Sequence, residues 1–213
     1  MSLEITERLV RAIGAVAGLG TLMYAVVGIL HSLRRPTGRE ERGARFALRV
    51  PYILFGTFLF LIIGALLWRP LPIGNLTWSA AIPLLLGSLL FFGGLILYLW
   101  GMQTLDQMFG PSTGFAVRLQ VEHRLIVSGP YAHVRHPMYL AVIAAALGSL
   151  LLYRTWATLL FAVAMLGLII RARREERVLS AEFGPEWQAY ASKVPKWFPR
   201  LAGGRTVSSR ADG

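Results

Sequence analysis

Two stretches of this chain hold most of the side chains able to do chemistry. The first, GPYAHVRHPMYL (Gly129 to Leu140), gathers two tyrosines, two histidines, an arginine and two prolines. The second, RARREERVLSAEFGPEWQAYASKVPKWFPR (Arg171 to Arg200), opens on dense arginine and glutamate and continues as alternating aromatic and polar residues. Pro137 suits the opening turn of a helix, where its missing N–H costs nothing, so a helix is expected to begin near His136. The free N–H groups of that turn, flanked by Arg135 and His136, form a place to hold a carboxylate or phosphate. Tyr131 and Tyr139 offer aromatic faces beside it, so a cation with an attached carboxylate would find complementary surfaces there. In the second stretch Arg171 and Glu175 are spaced i, i+4 and share one helical face, with Arg174 and Glu176 adjacent.

Each feature also has a plainer reading. Arginine next to an apolar run is commonly a topology anchor. Glu175 and Glu176 can simply pair with neighbouring arginines on a solvated face. His133 and His136 are three apart, as metal ligands on one helical face would be. Pro137 disturbs such a helix, however, and with only four histidines in the chain no metal is expected. The absence of cysteine removes disulfides, thiolate nucleophiles, thiolate-bound zinc and iron–sulfur clusters. The functional reading gains weight because both clusters fall at the same end of the elements that carry them.

Those elements are membrane-like. The chain is 55% hydrophobic and 15% charged, with a mean hydropathy of +0.55, so it has too little polar surface to coat itself in water. Five apolar segments stand out: Leu9 to Leu30, Val50 to Trp68, Trp78 to Trp100, Tyr139 to Tyr153 and Trp156 to Ile170. The first three meet the length of about 20 residues that a spanning helix needs. The last two are shorter and are joined by a tight turn at Tyr153 to Thr155, which reads as a helical hairpin, with a re-entrant or interfacial pair as the alternative. Trp68, Trp78, Trp100, Tyr139, Tyr153 and Trp156 all sit at segment ends, where amphipathic rings favour the headgroup layer. The fold class expected is therefore all-α, a polytopic membrane bundle of about five transmembrane helices.

The net charge of +11 is spread between the apolar runs, a pattern of topology signals and lipid headgroup contacts rather than of nucleic-acid binding. Arg34, Arg35, Arg39, Arg42, Arg45 and Arg49 follow the first span, Arg69 alone follows the second, Arg118, Arg124 and Arg135 follow the third, and Arg154 alone marks the hairpin turn. Counting positive residues inside gives an outer N-terminus and a cytoplasmic C-terminus, with both polar clusters on the cytoplasmic side. The first run lacks signal-peptide features and reads as a retained anchor. Residues 1–200 are expected to form one membrane domain, 1–100 as scaffold and 101–200 as the cofactor-binding half, with 201–213 as a disordered tail.

The pattern HRLIVSGPYAHVRHPMYL, an apolar hairpin, then REERVLSAEFGPEWQAYASKVPKWFPR resembles the isoprenylcysteine carboxyl methyltransferase and phospholipid N-methyltransferase superfamily of integral-membrane methyltransferases. The likeness runs from about Trp100 to Arg200. It implies S-adenosylmethionine as cofactor, bound without a soluble Gly-rich nucleotide fold. It assigns cofactor contacts to His123, Arg124, Leu125, Ile126, Tyr131, His136, Pro137, Met138 and Tyr139, with Glu175 completing the pocket and Glu176 as the adjacent alternative. Arg171 would face the acceptor, and Arg135 or the helix start would hold the cofactor carboxylate. The stretch from Gln103 to Glu122 departs from the pattern, so a cofactor-contacting glutamine is not assigned to Gln103 or Gln120.

The resemblance implies a methyl group passed by in-line displacement to a lipophilic, thiol or carboxylate acceptor, with the bilayer as partner; the alanine-, arginine- and glycine-rich usage points to a bacterium and so to its inner membrane as location. A thiolate or carboxylate acceptor needs no general base, whereas an amine must first lose a proton. Two other functions fit the same residues: an NADPH-dependent membrane reductase of the sterol-reductase type, and a non-catalytic protein that binds anionic lipid through its arginine-rich loops.

Overall fold

The computed structural model describes residues 3–33, 37–40, 50–72, 81–105, 118–120 and 125–199. Every expected apolar segment is helical: α1 (Leu3–Leu33), α2 (Val50–Leu66), α3 (Ala81–Leu105), α4 (Pro137–Tyr153) and α5 (Trp156–Lys193). The protein is an all-α, integral-membrane helical protein. Among the described residues three helices are long and apolar enough to cross a bilayer, α1 through Leu3–Ile29, α3 and α5. The other two, α2 and α4, have 17 residues each, about 25 Å at 1.5 Å per residue. Several helix ends differ from the ends of the apolar segments: the first helix starts at Leu3 rather than Leu9, α3 runs to Leu105 rather than Trp100, and the helix that continues past Ile170 reaches Lys193. Trp78, most of the arginines after α1, and the expected tail at 201–213 lie outside the described residues.

A small β-ribbon, which the sequence reading lacked, ties the α1–α2 connection to the chain beyond α3. Its strands β1 (Thr37–Glu40) and β2 (Arg118–Gln120) are antiparallel, with Thr37 opposite Gln120.

The tightest packing is between α3 and α4, and it depends on small residues. A Cβ on Gly94 would lie 2.7 Å from the Ala141 carbonyl oxygen, and one on Gly148 would run into the Phe91 backbone. Backbones this close gain dispersion contacts that larger side chains would prevent, which is how helices associate where no water is available to be expelled. Around this crossing Leu84, Phe91 and Leu152 form a buried cluster joined by Val10, Leu95 and Tyr153. The outward faces are apolar as well: Val16 on α1 and Leu85, Leu89 and Ile96 on α3 are all exposed, as suits side chains solvated by lipid.

One end of the bundle is closed by the α4–α5 turn. Arg154 adopts the left-handed conformation that ends α4. Thr155 and Thr158 then exchange hydrogen bonds in a capping box that starts α5. The segment after α2 pairs with this turn through Leu71 N–H to the Arg154 carbonyl (2.8 Å) and Trp156 N–H to the Arg69 carbonyl (3.1 Å), and the Tyr153 hydroxyl donates to the Arg11 carbonyl on α1 (2.7 Å). With the turn pinned there, the start of α4 and the charged part of α5 meet at the opposite end.

Candidate functional site

The site begins with a turn that only glycine can make. Gly129 has φ 57°, and a Cβ there would lie 2.5 Å from Thr104 Oγ1 on α3. It opens a single 3-10 turn, Gly129–Ala132, in which the Pro130 carbonyl accepts from both His133 and Val134 N–H at 3.1 Å. Pro130, Val134, His136 and Pro137 are buried. His136 then caps α4 through its backbone, with Pro137 in the first turn as expected and no side-chain cap. This leaves the imidazole to face α5.

Running antiparallel beside α4, α5 brings its polar segment to that imidazole. Arg171 Nε donates to the Tyr139 hydroxyl at 2.7 Å, and the guanidinium lies 5.7 Å from the Tyr139 ring centre. Glu175 is 3.8 Å from His136 Nδ1, and its charge also acts on the Tyr139 hydroxyl. Glu176 Oε1 stands 3.2 Å from His136 Nε2 and 3.0 Å from Arg135 Nη2, while its Oε2 accepts from Lys196 Nζ at 2.7 Å. The His136 and Tyr139 rings are parallel, 5.6 Å apart.

The chain past α5 folds back over this cluster. At Gly184 (φ 48°, ψ −117°) the helix kinks, and Pro185 follows inside it. Beyond Lys193 the backbone docks on the first stretch: Arg135 N–H donates to the Pro195 carbonyl (2.9 Å) and His136 N–H to the Lys196 carbonyl (3.3 Å). Arg135 Nη1 donates to the Ala191 carbonyl (2.9 Å), with its guanidinium over Trp187. Tyr190 donates its hydroxyl proton to the Tyr131 carbonyl (2.7 Å), and Trp197 lies against His136.

Burial dominates the electrostatics. It pushes the His136 pKa below its ordinary value despite the nearby Glu175 and Glu176 carboxylates, so the imidazole is neutral at neutral pH. Burial, reinforced by the charge of Glu175, pushes the Tyr131 phenol up, so Tyr131 stays protonated.

Of the residues singled out in the sequence, Tyr131, Arg135, His136, Tyr139, Arg171, Glu175 and Glu176 come together. Pro137 is buried at the start of α4, and Met138 lies against Gly101 of α3. Leu125 and Ile126 are half-buried in the extended chain leading to the turn. His123 and Arg124 lie outside the described residues. Gln103 sits in the last turns of α3 and Gln120 in β2. The sequence reading did not single out Trp187, Tyr190, Lys196 or Trp197, although Trp187 and Tyr190 share a helical face and Lys196 and Trp197 follow the stop signal of Pro195. Among the described residues no three or more His, Asp or Glu side chains converge as metal ligands would.

Residues 82–186 match the model of the phospholipid methyltransferase family, a segment running from α3 through the first polar cluster and into the second. A protein-S-isoprenylcysteine O-methyltransferase of Schizosaccharomyces pombe is 36% identical over 82 residues, 38% of this chain and 35% of that protein. Methanethiol S-methyltransferase 2 of Bradyrhizobium diazoefficiens is 29% identical over 210 residues, 89% of this chain and 75% of that enzyme. A cobalt-zinc-cadmium resistance protein of Cupriavidus metallidurans is 35% identical over 80 residues, 37% of each chain. The chain thus spans about a third of the fission-yeast and Cupriavidus relatives and three quarters of the methanethiol enzyme. Over the α3–α5 region that builds this site, the chain matches the phospholipid methyltransferase family and is similar to the integral-membrane methyltransferases that include the isoprenylcysteine enzymes.

Proposed function

We propose that the protein is a membrane-embedded methyltransferase that uses S-adenosylmethionine. The observation that carries this reading is the meeting of Tyr139 and His136 with Arg171 and Glu175 at one end of the α4–α5 hairpin. The donor set fits the amino-acid end of that cofactor. Glu175 offers a carboxylate to an ammonium group, Tyr131 and Tyr139 offer ring faces to a sulfonium, and the amino end of α4 offers N–H groups to a carboxylate. Arg135, already engaged by Glu176 and the Ala191 carbonyl, is better suited to holding the turn than to holding the ligand. When bound, the cofactor would supply an electrophilic methyl group.

The chain's own contribution is alignment and exclusion of water, which suffices for a displacement whose nucleophile is already ionised. Arg171, fixed by Tyr139, would orient an anionic acceptor. A thiolate or carboxylate needs no base from the protein. The alignment of widest coverage is with a methanethiol S-methyltransferase, which puts small thiols first among acceptors, ahead of lipids and isoprenoid-like molecules. The positive-inside count supports a site on the cytoplasmic face with the N-terminus outside, and a bacterial inner membrane is the location we propose.

Calorimetric titration of the detergent-solubilised protein tests the reading. Saturable binding of S-adenosylmethionine, lost in Glu175→Ala and His136→Ala, is expected. Binding of NADPH in its place would overturn the assignment in favour of a reductase. Unaltered affinity in both variants would move the site elsewhere. Labelled methyl transfer into small thiols and membrane lipid extracts then identifies the acceptor.

A further inference from the structure

Glu175 and Glu176 are adjacent in sequence but are used differently. The Glu176 carboxylate meets three cationic or donor groups on other elements: Arg135 at 3.0 Å, His136 at 3.2 Å and Lys196 at 2.7 Å. A carboxylate ion has only lone pairs, so its contact with His136 Nε2 must be an N–H donated by the ring. In the neutral ring that burial favours, the one imidazole proton is then on Nε2 and the lone pair on Nδ1, which faces the Glu175 carboxylate at 3.8 Å. Two acceptors then point at one another, an arrangement that an N–H donor lodged between them would relieve. The same Glu176 carboxylate ties Lys196 to the turn, and the chain around Lys196 supplies the two carbonyls that receive the Arg135 and His136 N–H groups.

We propose that Glu176 and Lys196 are positioning residues. They clamp the segment after α5 across the Arg135–His136 turn, and they hold the His136 ring so that Nδ1, beside Glu175, is a second acceptor for an ammonium group. This rests on the methyltransferase reading, in which the ammonium is that of the cofactor's amino-acid end. Glu176 then works without touching the ligand, and Lys196, some twenty residues further along the chain, shares its effect.

The test uses the full chain in detergent, with titrations of S-adenosylmethionine and of its analogue lacking the amino group. Lys196→Met should weaken S-adenosylmethionine binding about 10-fold and Glu176→Ala about 10- to 100-fold, the range set by charge-assisted hydrogen bonds. Lys196→Arg should restore affinity, and the double variant should bind no more weakly than Glu176→Ala alone. The analogue should bind the wild type and Lys196→Met alike, a result that a general loss of structure would not give. Penalties that multiply in the double variant, or a Lys196→Met penalty equal for both ligands, would overturn the proposal. Should the wild type bind no S-adenosylmethionine, the methyltransferase reading fails by itself. The clamp is then decided by hydrogen exchange of the Arg135 and His136 amides, which must speed up in Lys196→Met; unchanged exchange refutes it.

Discussion

Gly93 and Gly94 are neighbours on α3, and the structure gives them opposite tolerances. A Cβ on Gly93 meets nothing within 4 Å, whereas one on Gly94 would sit 2.7 Å from both the Ala141 carbonyl oxygen and the Ala145 nitrogen, and 3.0 Å from the Ala145 Cβ. All three contacts belong to α4, and two are backbone, so no side-chain rotation can relieve them. Reaching ordinary contact would require α4 to move out by about 0.7 Å, which weakens the Gly148 contact with Phe91 as well. Overpacking of this kind costs about 1–3 kcal/mol. The gain in helix propensity from glycine to alanine, about 1 kcal/mol, applies to both positions and cancels in the comparison. Gly94→Ala should therefore be less stable than Gly93→Ala by about 1–3 kcal/mol. Thermal unfolding in detergent, followed by tryptophan fluorescence, should read this as a midpoint lower by several degrees. A Gly94→Ala protein as stable as Gly93→Ala would show that α3 and α4 do not pack at this distance, and the placement of His136 and Tyr139, both on or beside α4, would fall with it.

Thr155→Ala should remove the half of the capping box in which Thr155 Oγ1 accepts from the Thr158 N–H, keep the backbone N–H donated to Thr158 Oγ1, and cost about 1 kcal/mol, while Thr155→Ser retains both; the same unfolding assay separates them. Tyr190→Phe deletes the hydroxyl that donates to the Tyr131 carbonyl and should cost about 1–2 kcal/mol, with faster amide exchange in residues 187–196. Stability should also depend on pH through His136. Its folded pKa is depressed by burial, so its contribution is complete above the ordinary imidazole value of about 6.5 and is lost as pH falls from there through the folded pKa. Unfolding midpoints measured between about pH 8 and pH 5 should fall more steeply for the wild type than for His136→Gln; equal slopes would rule out His136 as the source.

The sequence makes the helices legible because a bilayer demands long apolar runs, and the runs ending at Leu30, Trp68, Trp100 and Tyr153 all became helices. The approach of the two polar clusters is legible too: His136 and Arg171 lie almost equally far along the chain from the turn at Arg154, so an antiparallel hairpin sets them side by side. The far end of α5 is not: Arg171 and Glu175 read as one face of a continuing helix, but nothing local shows that the helix runs on through a kink at Gly184 to Lys193. Nor is the division of labour between Glu175 and Glu176, since it depends on Lys196 and on a backbone pairing between distant segments that carries no local signature. The β1–β2 ribbon escaped for a related reason: short polar strands have no hydrophobic alternation to announce them.

The shortness of the hairpin arms sets where the reacting groups can lie. From Trp156 to Arg171 the rise is about 22 Å, and α4 is about 25 Å long, against a hydrocarbon thickness of about 30 Å. The α1 and α3 helices beside them are long enough to cross it. On the proposed function, Arg171 and Tyr139 would then sit below the level that the neighbouring helices reach, in a dent open to water from above and bordered by acyl chains from the side. A hydrophilic cofactor and a lipophilic acceptor of the proposed reaction would then each arrive through its own solvent, and neither would have to cross the phase boundary before the two come into contact.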